Sequence, residues 1–495
     1  MLGSSSNLFR RPNKVSRVAV TVTLAFSNPI PFCFMPGVKI QIKGTVQGVG
    51  FRPFVYKLAR KCHLKGYVLN DTDGVKVEAE GRKSDLDEFL LLIENSAPPA
   101  SRIETIVVEK SAPQGFRDFE IKESIEQDTR TVLVSPDLAT CDDCVSELFD
   151  PNDRRFEYPF LNCTNCGPRL TIIRDVPYDR NLTTMSEFRM CDRCGYEYGD
   201  PEDRRFHAQP TACPECGPSL TLLNGRAQQA TLSDPISETI ELLKRGRIIA
   251  VKGLGGYHLA CDATNPEAVS TLRKRKYRED KPFALMAADL ATVERFCHVS
   301  SPERELLQSV RRPIVLLAVK DTGFVAGDAA PHQRYLGVML PYTPLHHLLL
   351  KRSGLVLVMT SGNLSDEPIA YQDREALGRL RPIADYFLTH NREIYRRCDD
   401  SVSRVWNDKE MILRRARGYV PAPIKLDRKF GRHILACGGE LKNTFCLCRE
   451  NYAFPSSHIG DLENLETLSF FEREIERFKR ICHVEPEIVA YDMHP

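Results

Sequence analysis

Eight of the 17 cysteines fall into a pattern that repeats with a period of 50 residues. Cys141, Cys144, Cys163 and Cys166 recur as Cys191, Cys194, Cys213 and Cys216. Each unit is C-x2-C-x18-C-x2-C, and the flanks agree as well: DPNDRRFEYPFLNCTNCGP against DPEDRRFHAQPTACPECGP. Two thiol knuckles joined by a loop of this size suit one tetrahedral Zn²⁺. A pair of redox dithiols and chance are the alternatives, and doubling with identical spacing argues against both. Each unit is too short to close a large apolar core. A structural zinc site contributes an apparent binding free energy of about 10–16 kcal/mol in finger peptides, so metal is expected to dominate local folding here. Four cysteines close the coordination sphere, which makes the two sites structural. They need not touch nucleic acid.

Around this repeat the 495-residue chain has room for three or four domains. Lys plus Arg is 68 against 66 Asp plus Glu, a formal charge of +2, which argues against a chain that binds nucleic acid over its whole surface. No apolar run approaches the roughly 18–20 residues of a membrane-spanning helix. Residues 1–35 form a separate extension. They carry Arg10, Arg11, Lys14 and Arg17, no acid, and the apolar run Val18 to Phe26. This is leader-like in composition, but its apolar region is poor, and an upstream extension before Met35 is the preferred reading. The remaining nine cysteines are scattered, as expected of a reducing cytoplasm.

Residues 36–125 read as β-α-β-β-α-β. VKIQIKGT alternates with period two, PFVYKLARKC is helical, and two strands meet at the turn signal Asp73-Gly74. SDLDEFLLLIENS is a second amphipathic helix, followed by IETIVVEK and DFEIKE. That order is the split βαβ, ferredoxin-like pattern. Between its first strand and helix lies Gln47-Gly48-Val49-Gly50-Phe51-Arg52. Its glycines allow successive backbone N–H groups to converge on a phosphate, and Arg52 offers a planar fork to the same anion. A plain tight turn would use the same glycines. The run GTVQGVGFRPF with GYVLNDTDG resembles the acylphosphatase family. The resemblance implies that Arg52 binds the phosphate of an acyl phosphate and that Asn70 orients the attacking water.

Residues 126–230 hold the tandem zinc-finger region, and 231–425 alternate helices with apolar strands as in a mixed α/β domain. Within the latter, RKRKYREDK places six basic residues in nine positions, Arg273 to Lys281. A solvated helix end, a nucleic-acid patch and a triphosphate-binding cleft all suit such a run. KGLGGYHL, Lys276-x-Arg278 with Lys281-Pro282, SGNLSDEP and RRARGYVPAPI together resemble the YrdC-like family. That resemblance implies carbamoyl-adenylate formation from ATP, with Mg²⁺, at a site lined by Lys276, Arg278, Lys281, Ser361, Asn363, Arg396 and Arg404. The histidines carry bland readings. His258 is more often a packed polar residue than a catalyst, His207 is not a metal ligand, and the pair His346-His347 divides between core and solvent.

Residues 431–495 read as strand, glycine turn, strand, turn, strand, helix, strand. ACGGELKNTF and SSHIGDLENLET resemble the start of a TsaD-like, ASKHA-type carbamoyltransferase module. The fold class is therefore multidomain α+β and α/β: a ferredoxin-like acylphosphatase domain, two zinc-ribbon-like units, a YrdC-like domain and the beginning of a TsaD-like one. The order of modules resembles the HypF family of carbamoyltransferases in [NiFe]-hydrogenase maturation. The resemblance implies two structural Zn, carbamoyl phosphate and ATP as substrates, and transfer to the C-terminal cysteine of a HypE-like acceptor protein, with neither nucleic acid nor membrane as partner. In that family the last module continues past the DxHP motif that falls here at Asp492 to Pro495. The expectation is a chain competent for the first two reactions but not the final transfer. An O-carbamoyltransferase and a threonylcarbamoyl-adenylate synthase are the runner-up enzymes, and a zinc-ribbon module that binds RNA or protein is the non-enzymatic alternative.

Overall fold

The computed structural model describes residues 36–46, 48–71, 74–98, 101–122, 134–176, 178–231, 233–320, 323–364 and 367–493. The N-terminal extension, Gln47, Asp73, residues 365–366 of the SGNLSDEP run and the last two residues of the DxHP motif lie outside the described residues.

The first module has the expected order: β1 (Gly37–Thr45), α1 (Phe51–Lys61), β2 (Lys65–Asp71), β3 (Gly74–Glu80), α2 (Lys83–Asn95), β4 (Arg102–Ser111) and a short β5 (Phe119–Ile121). The sheet runs β4-β1-β3-β2-β5. Alternate residues of β1, including Val38, Ile40 and Ile42, turn inward onto Phe51, Val55, Phe89 and Ile93 of the two helices. Period-two and period-3.6 patterns thus meet in one small core.

Two short helices, α3 (Asp142–Leu148) and α4 (Asp192–Gly199), start within the first knuckle of each cysteine unit and carry its second cysteine, Cys144 or Cys194. Beyond them, β6 (Leu220–Asn224) leaves the finger region and pairs antiparallel with a strand of the next module. That module comprises α5 (Pro235–Lys244), β7 (Ile249–Lys252), β8 (Tyr257–Asp262), α6 (Pro266–Arg275), β9 (Ala284–Met286), α7 (Leu290–Val293), α8 (Ser301–Gln308) and β10 (Ile314–Ala318). It continues with β11 (Tyr335–Met339), α9 (Pro344–Ser353), β12 (Leu357–Ser361), α10 (Asp373–Arg379), β13 (Tyr386–His390), β14 (Val402–Trp406) and β15 (Lys409–Arg414). Its helices begin where sequence chemistry allows: Asp234, Asn265 and Thr343 each cap backbone N–H groups ahead of a proline. The ten strands run β15-β14-β10-β11-β9-β12-β8-β7-β13-β6. Continuous apolar runs such as Ile249–Lys252 become central strands because both faces are covered, by Val269, Leu272 and Phe296 on one side and Ile240, Leu345 and Leu349 on the other.

The last module forms a second five-stranded sheet from β16 (Ile424–Lys425), β17 (Ile434–Cys437), β18 (Phe445–Arg449), β19 (Tyr452–Pro455) and β20 (Ile488–Ala490), ordered β16-β19-β18-β17-β20. The helix α11 (Leu465–Cys482) covers it, and Phe445, Phe470 and Phe478 share a core with Leu170, Ile173 and Val176 of the finger region. Glu104 on β4 accepts from Tyr452 at 2.7 Å and pairs with Lys425 at 3.3 Å, so the first and last modules also touch. No helix among the described residues is long and apolar enough to cross a membrane.

Candidate functional site

Both cysteine quartets are assembled. In the first, Sγ separations are 3.6 Å (Cys141–Cys163), 3.9 Å (Cys163–Cys166) and 3.5 Å (Cys144–Cys166). In the second they are 3.8 Å (Cys191–Cys213), 3.7 Å (Cys213–Cys216) and 3.7 Å (Cys194–Cys216). A tetrahedron with Zn–S bonds of about 2.3 Å has edges of about 3.8 Å. Disulfides would bring sulfurs to about 2.05 Å. The residues therefore fit one zinc ion per unit, and the redox-pair reading does not survive. His207 stays out of the metal site. Its ring stacks on Tyr198 with centroids 5.1 Å apart.

The glycine loop of the first module faces the fingers. Gly48 and Gly50 both take the left-handed conformation, at φ 68° and 74°. At Gly50 a Cβ would lie 2.7 Å from Thr164 Cγ2 and 3.2 Å from Asn165 Oδ1, so only glycine lets the loop approach the first finger. Val49 and Phe51 turn their side chains into the core, leaving only their backbone groups for a ligand. Arg52, in the first turn of α1, is half-buried, and this partial burial pulls its pKa down against the opposing pull of Asp179 and Tyr198. Burial, and then the positive charge of Arg52, lower the pKa of His207 to about 4. Asn70 is the penultimate residue of β2, the strand against which α1 packs, and its Oδ1 is buried with no hydrogen-bond partner in the protein. A buried acceptor with no protein partner is a suitable hold for a water molecule. Lys57 donates to the Glu202 carbonyl and Arg60 pairs with its carboxylate, each at 2.9 Å, fastening α1 to the second finger.

In the large module, Lys276 caps α6 and is almost fully buried. Its Nζ donates to the Ser361 carbonyl at 2.8 Å, the Asn363 carbonyl at 2.5 Å and Asn363 Oδ1 at 2.6 Å. An ammonium has three N–H donors, so in this state Lys276 holds the loop after β12. Ser361 Oγ donates to Asn363 Oδ1 at 2.8 Å, tightening the same loop. Gly362 N donates to the Tyr257 carbonyl at 2.7 Å, and a Cβ at Gly362 would stand 2.6 Å from that oxygen. Arg278 is tied to the Lys281 and Pro282 carbonyls at 2.8 and 2.6 Å, with Thr360 Oγ1 at 3.4 Å. Burial lowers the pKa of Lys276 well below its usual value, and Arg278 and Lys281 add to the effect.

Two expected members of this site are placed elsewhere. Arg396, after β13, is buried against α11, with Glu474 at 3.7 Å and the Arg477 carbonyl at 3.3 Å. Arg404 on β14 lies over the rings of Tyr335 and Trp406, and β14 is separated from β12 in the sheet by β10, β11 and β9. Sequence proximity to an arginine-rich run could not show which way each strand faces. His258 takes the bland reading: its Nε2 meets Asp400 Oδ2 at 2.8 Å, and Arg417 Nε donates to Asp400 Oδ1 at 2.7 Å. Burial opposes the Asp400 carboxylate, yet Arg417 and His258 outweigh it and hold its pKa well below the usual range. His346 is buried and His347 half-buried, close to the expected division between core and solvent. The finger residues Tyr198, His207 and Asp179 around Arg52 had no signal in the sequence, because a contact between modules leaves no spacing pattern.

Four family models match in order along the chain: Acylphosphatase over residues 38–121, HypF finger over 140–173 and 190–223, Telomere recombination of the Sua5, YciO and YrdC type over 241–416, and HypF Kae1-like domain over 429–495. The chain is similar to Carbamoyltransferase HypF2 of Cupriavidus necator, 49% identical over 481 residues, covering 92% of this chain and 59% of that one. It is also similar to Carbamoyltransferase HypF of Synechocystis, 48% identical over 459 residues, covering 92% and 60%. Among solved structures, full-length HypF in its phosphate- and nucleotide-bound form superposes with a TM-score of 0.87 at 48% identity, over 93% of this chain and 60% of that one. HypF of T. kodakarensis superposes with a TM-score of 0.83 at 45% identity, over 93% and 59%. The chain thus spans about 60% of the length of the curated relatives it matches.

Proposed function

We propose that the chain is a member of the HypF family, whose modules it matches in order over 92% of its length, and that it hydrolyses carbamoyl phosphate and uses the released carbamate to make carbamoyl-adenylate from ATP. At the first site the backbone N–H groups of the glycine loop and the Arg52 guanidinium neutralise the phosphate. Asn70 Oδ1 holds the water that cleaves the acyl–phosphate linkage, giving carbamate and inorganic phosphate. At the second site the loop of Ser361 and Asn363, set by Lys276, receives ATP with Mg²⁺, while Arg278 and Lys281 supply positive charge. A carbamate oxygen attacks the α-phosphate, the bond to the β-phosphate side breaks, and pyrophosphate leaves. The acceptor proposed for the carbamoyl group is the C-terminal cysteine thiolate of a HypE-like protein, whose carbamoylation releases AMP, a transfer beyond the two steps proposed for this chain. Arg396 and Arg404 enter this reading only as residues of the same module. A reducing cytoplasm, where thiols stay available as metal ligands, is the proposed site of action.

One observation carries the reading. A half-buried arginine behind a glycine loop and a Lys-Ser-Asn loop occur in one chain, in modules whose order and fold match HypF. The test is a coupled assay with carbamoyl phosphate and ATP. AMP and pyrophosphate should form in equal amounts and only when carbamoyl phosphate is present. Pyrophosphate release that instead depends on threonine and bicarbonate would refute the proposal in favour of a threonylcarbamoyl-adenylate synthase.

A further inference from the structure

The repeated DPxDRRF segment supplies no metal ligand, yet its arginines sit at corresponding places, Arg154-Arg155 and Arg204-Arg205. In the fold they cross over. Arg154 Nη2 donates to Cys194 Sγ at 3.2 Å and Arg155 Nη2 to the same sulfur at 3.4 Å. Both also grip Glu197 on α4, Arg154 at 2.8 Å. In the mirror-image contact, Arg204 Nη2 donates to Cys144 Sγ, and Arg204 pairs with Glu147 and Asp143 at 3.2 and 3.1 Å. Arg205 closes on Glu147 as well. The backbone repeats the exchange: Thr164 N and Oγ1, inside the second knuckle of the first repeat, donate to the Arg204 carbonyl at 3.1 and 2.9 Å.

Four thiolates around one Zn²⁺ carry two surplus negative charges. In a buried site that charge is costly unless cations or N–H donors meet the sulfurs. Arg155 and Arg205 are themselves almost fully buried, so they require the opposite repeat's anions as much as those anions require them. We propose that the two zinc sites are completed reciprocally: the arginine pair of each repeat secures the metal held by the other. The consequence is specific and counter to sequence proximity. Weakening Arg154 and Arg155 loosens the zinc of Cys191, Cys194, Cys213 and Cys216, and weakening Arg204 and Arg205 loosens that of Cys141, Cys144, Cys163 and Cys166.

The inference rests on zinc occupancy and is independent of the carbamoyl chemistry. The full chain is first weighed for metal by native mass spectrometry, where two zinc ions are expected; fewer would overturn the metal assignment itself. Maleimide labelling in the presence of a chelator is then followed cysteine by cysteine by peptide mass spectrometry. In the Arg154→Lys/Arg155→Lys variant, the second quartet should label about 10–100-fold faster than in the unaltered chain. It should label ahead of the first quartet, and Arg204→Lys/Arg205→Lys should reverse the order. Glu197→Gln keeps both arginines and removes only their anchor, so it should show the same order with a smaller ratio even if the double variants fold poorly. Faster labelling of the quartet in the altered arginines' own repeat, or equal rates at both quartets, would overturn the proposal.

Discussion

Replacing Lys276 with methionine separates two roles that a lysine in a nucleotide site can have. Methionine keeps most of the buried volume and removes the ammonium. Among the described residues it ends the bonds to the Ser361 carbonyl, the Asn363 carbonyl and Asn363 Oδ1. Asn363 Oδ1 retains Ser361 Oγ as a donor, so two carbonyls lose their ammonium donor. At about 1–3 kcal/mol for each buried unsatisfied group, the cost is about 2–6 kcal/mol. Relief from burying a charged amine, which pulls the pKa of Lys276 well down, offsets part of this and sets the expectation near the lower end. About 2 kcal/mol corresponds to a fall in Tm of roughly 4–8 °C for a domain of this size. Calorimetry measures that fall, and hydrogen exchange should show the amides of residues 361–363 losing protection. Pyrophosphate release should drop in kcat, and Lys276→Arg should fail to restore it, because a planar guanidinium cannot meet three acceptors gathered around one nitrogen. An unchanged Tm with a raised KM for ATP, restored by arginine, would refute the positioning role and make Lys276 a direct phosphate ligand.

Two further outcomes follow from the other sites. Arg52→Ala should lower carbamoyl-phosphate hydrolysis by about 10²–10³-fold, the range for one preorganised donor to a developing anion, while zinc content and pyrophosphate release from supplied carbamate stay intact; retained hydrolysis would disprove the cradle. Both ring nitrogens of His346 are buried without partners, and burial holds its pKa well below the ordinary value, with His258 adding to the effect. A histidine with a depressed folded-state pKa contributes stability that is present above about pH 6.5 and lost as pH falls below it, at up to about 1.4 kcal/mol per pH unit. Thermal melts from pH 7.5 to 5.5 should therefore be steeper in pH for the unaltered chain than for His346→Leu, and equal slopes would contradict the assignment.

Much of this molecule can be read from short stretches of chain. The ligand quartets follow from spacing alone, since two knuckles and a loop leave thiols little freedom once a metal gathers them. The β-α-β-β-α-β module follows from periodicity, because β1 and α1 each bury one face at its own period. The Lys276, Ser361 and Asn363 loop was also foreseen, through resemblance to a family, and the fold brings those three together. Arg396 and Arg404 show where such reading ends. Both belong to a promising arginine-rich run, yet one is turned against α11 and the other over the rings of Tyr335 and Trp406, directions that only strand order and module packing decide.

The sequence by itself thus determined the local units: which cysteines share a metal, which glycines open a cradle, which segments are strands or helices. These depend on neighbours within a few turns of chain, where spacing is geometry. Tertiary structure alone decided what faces what. It put the fingers over Arg52, and it exchanged the DRRF arginines between repeats so that Cys144 and Cys194 each meet a cation from the other unit. Such contacts join residues 40–60 positions apart through burial and charge, and two identical motifs have no local feature that says whether they serve themselves or each other.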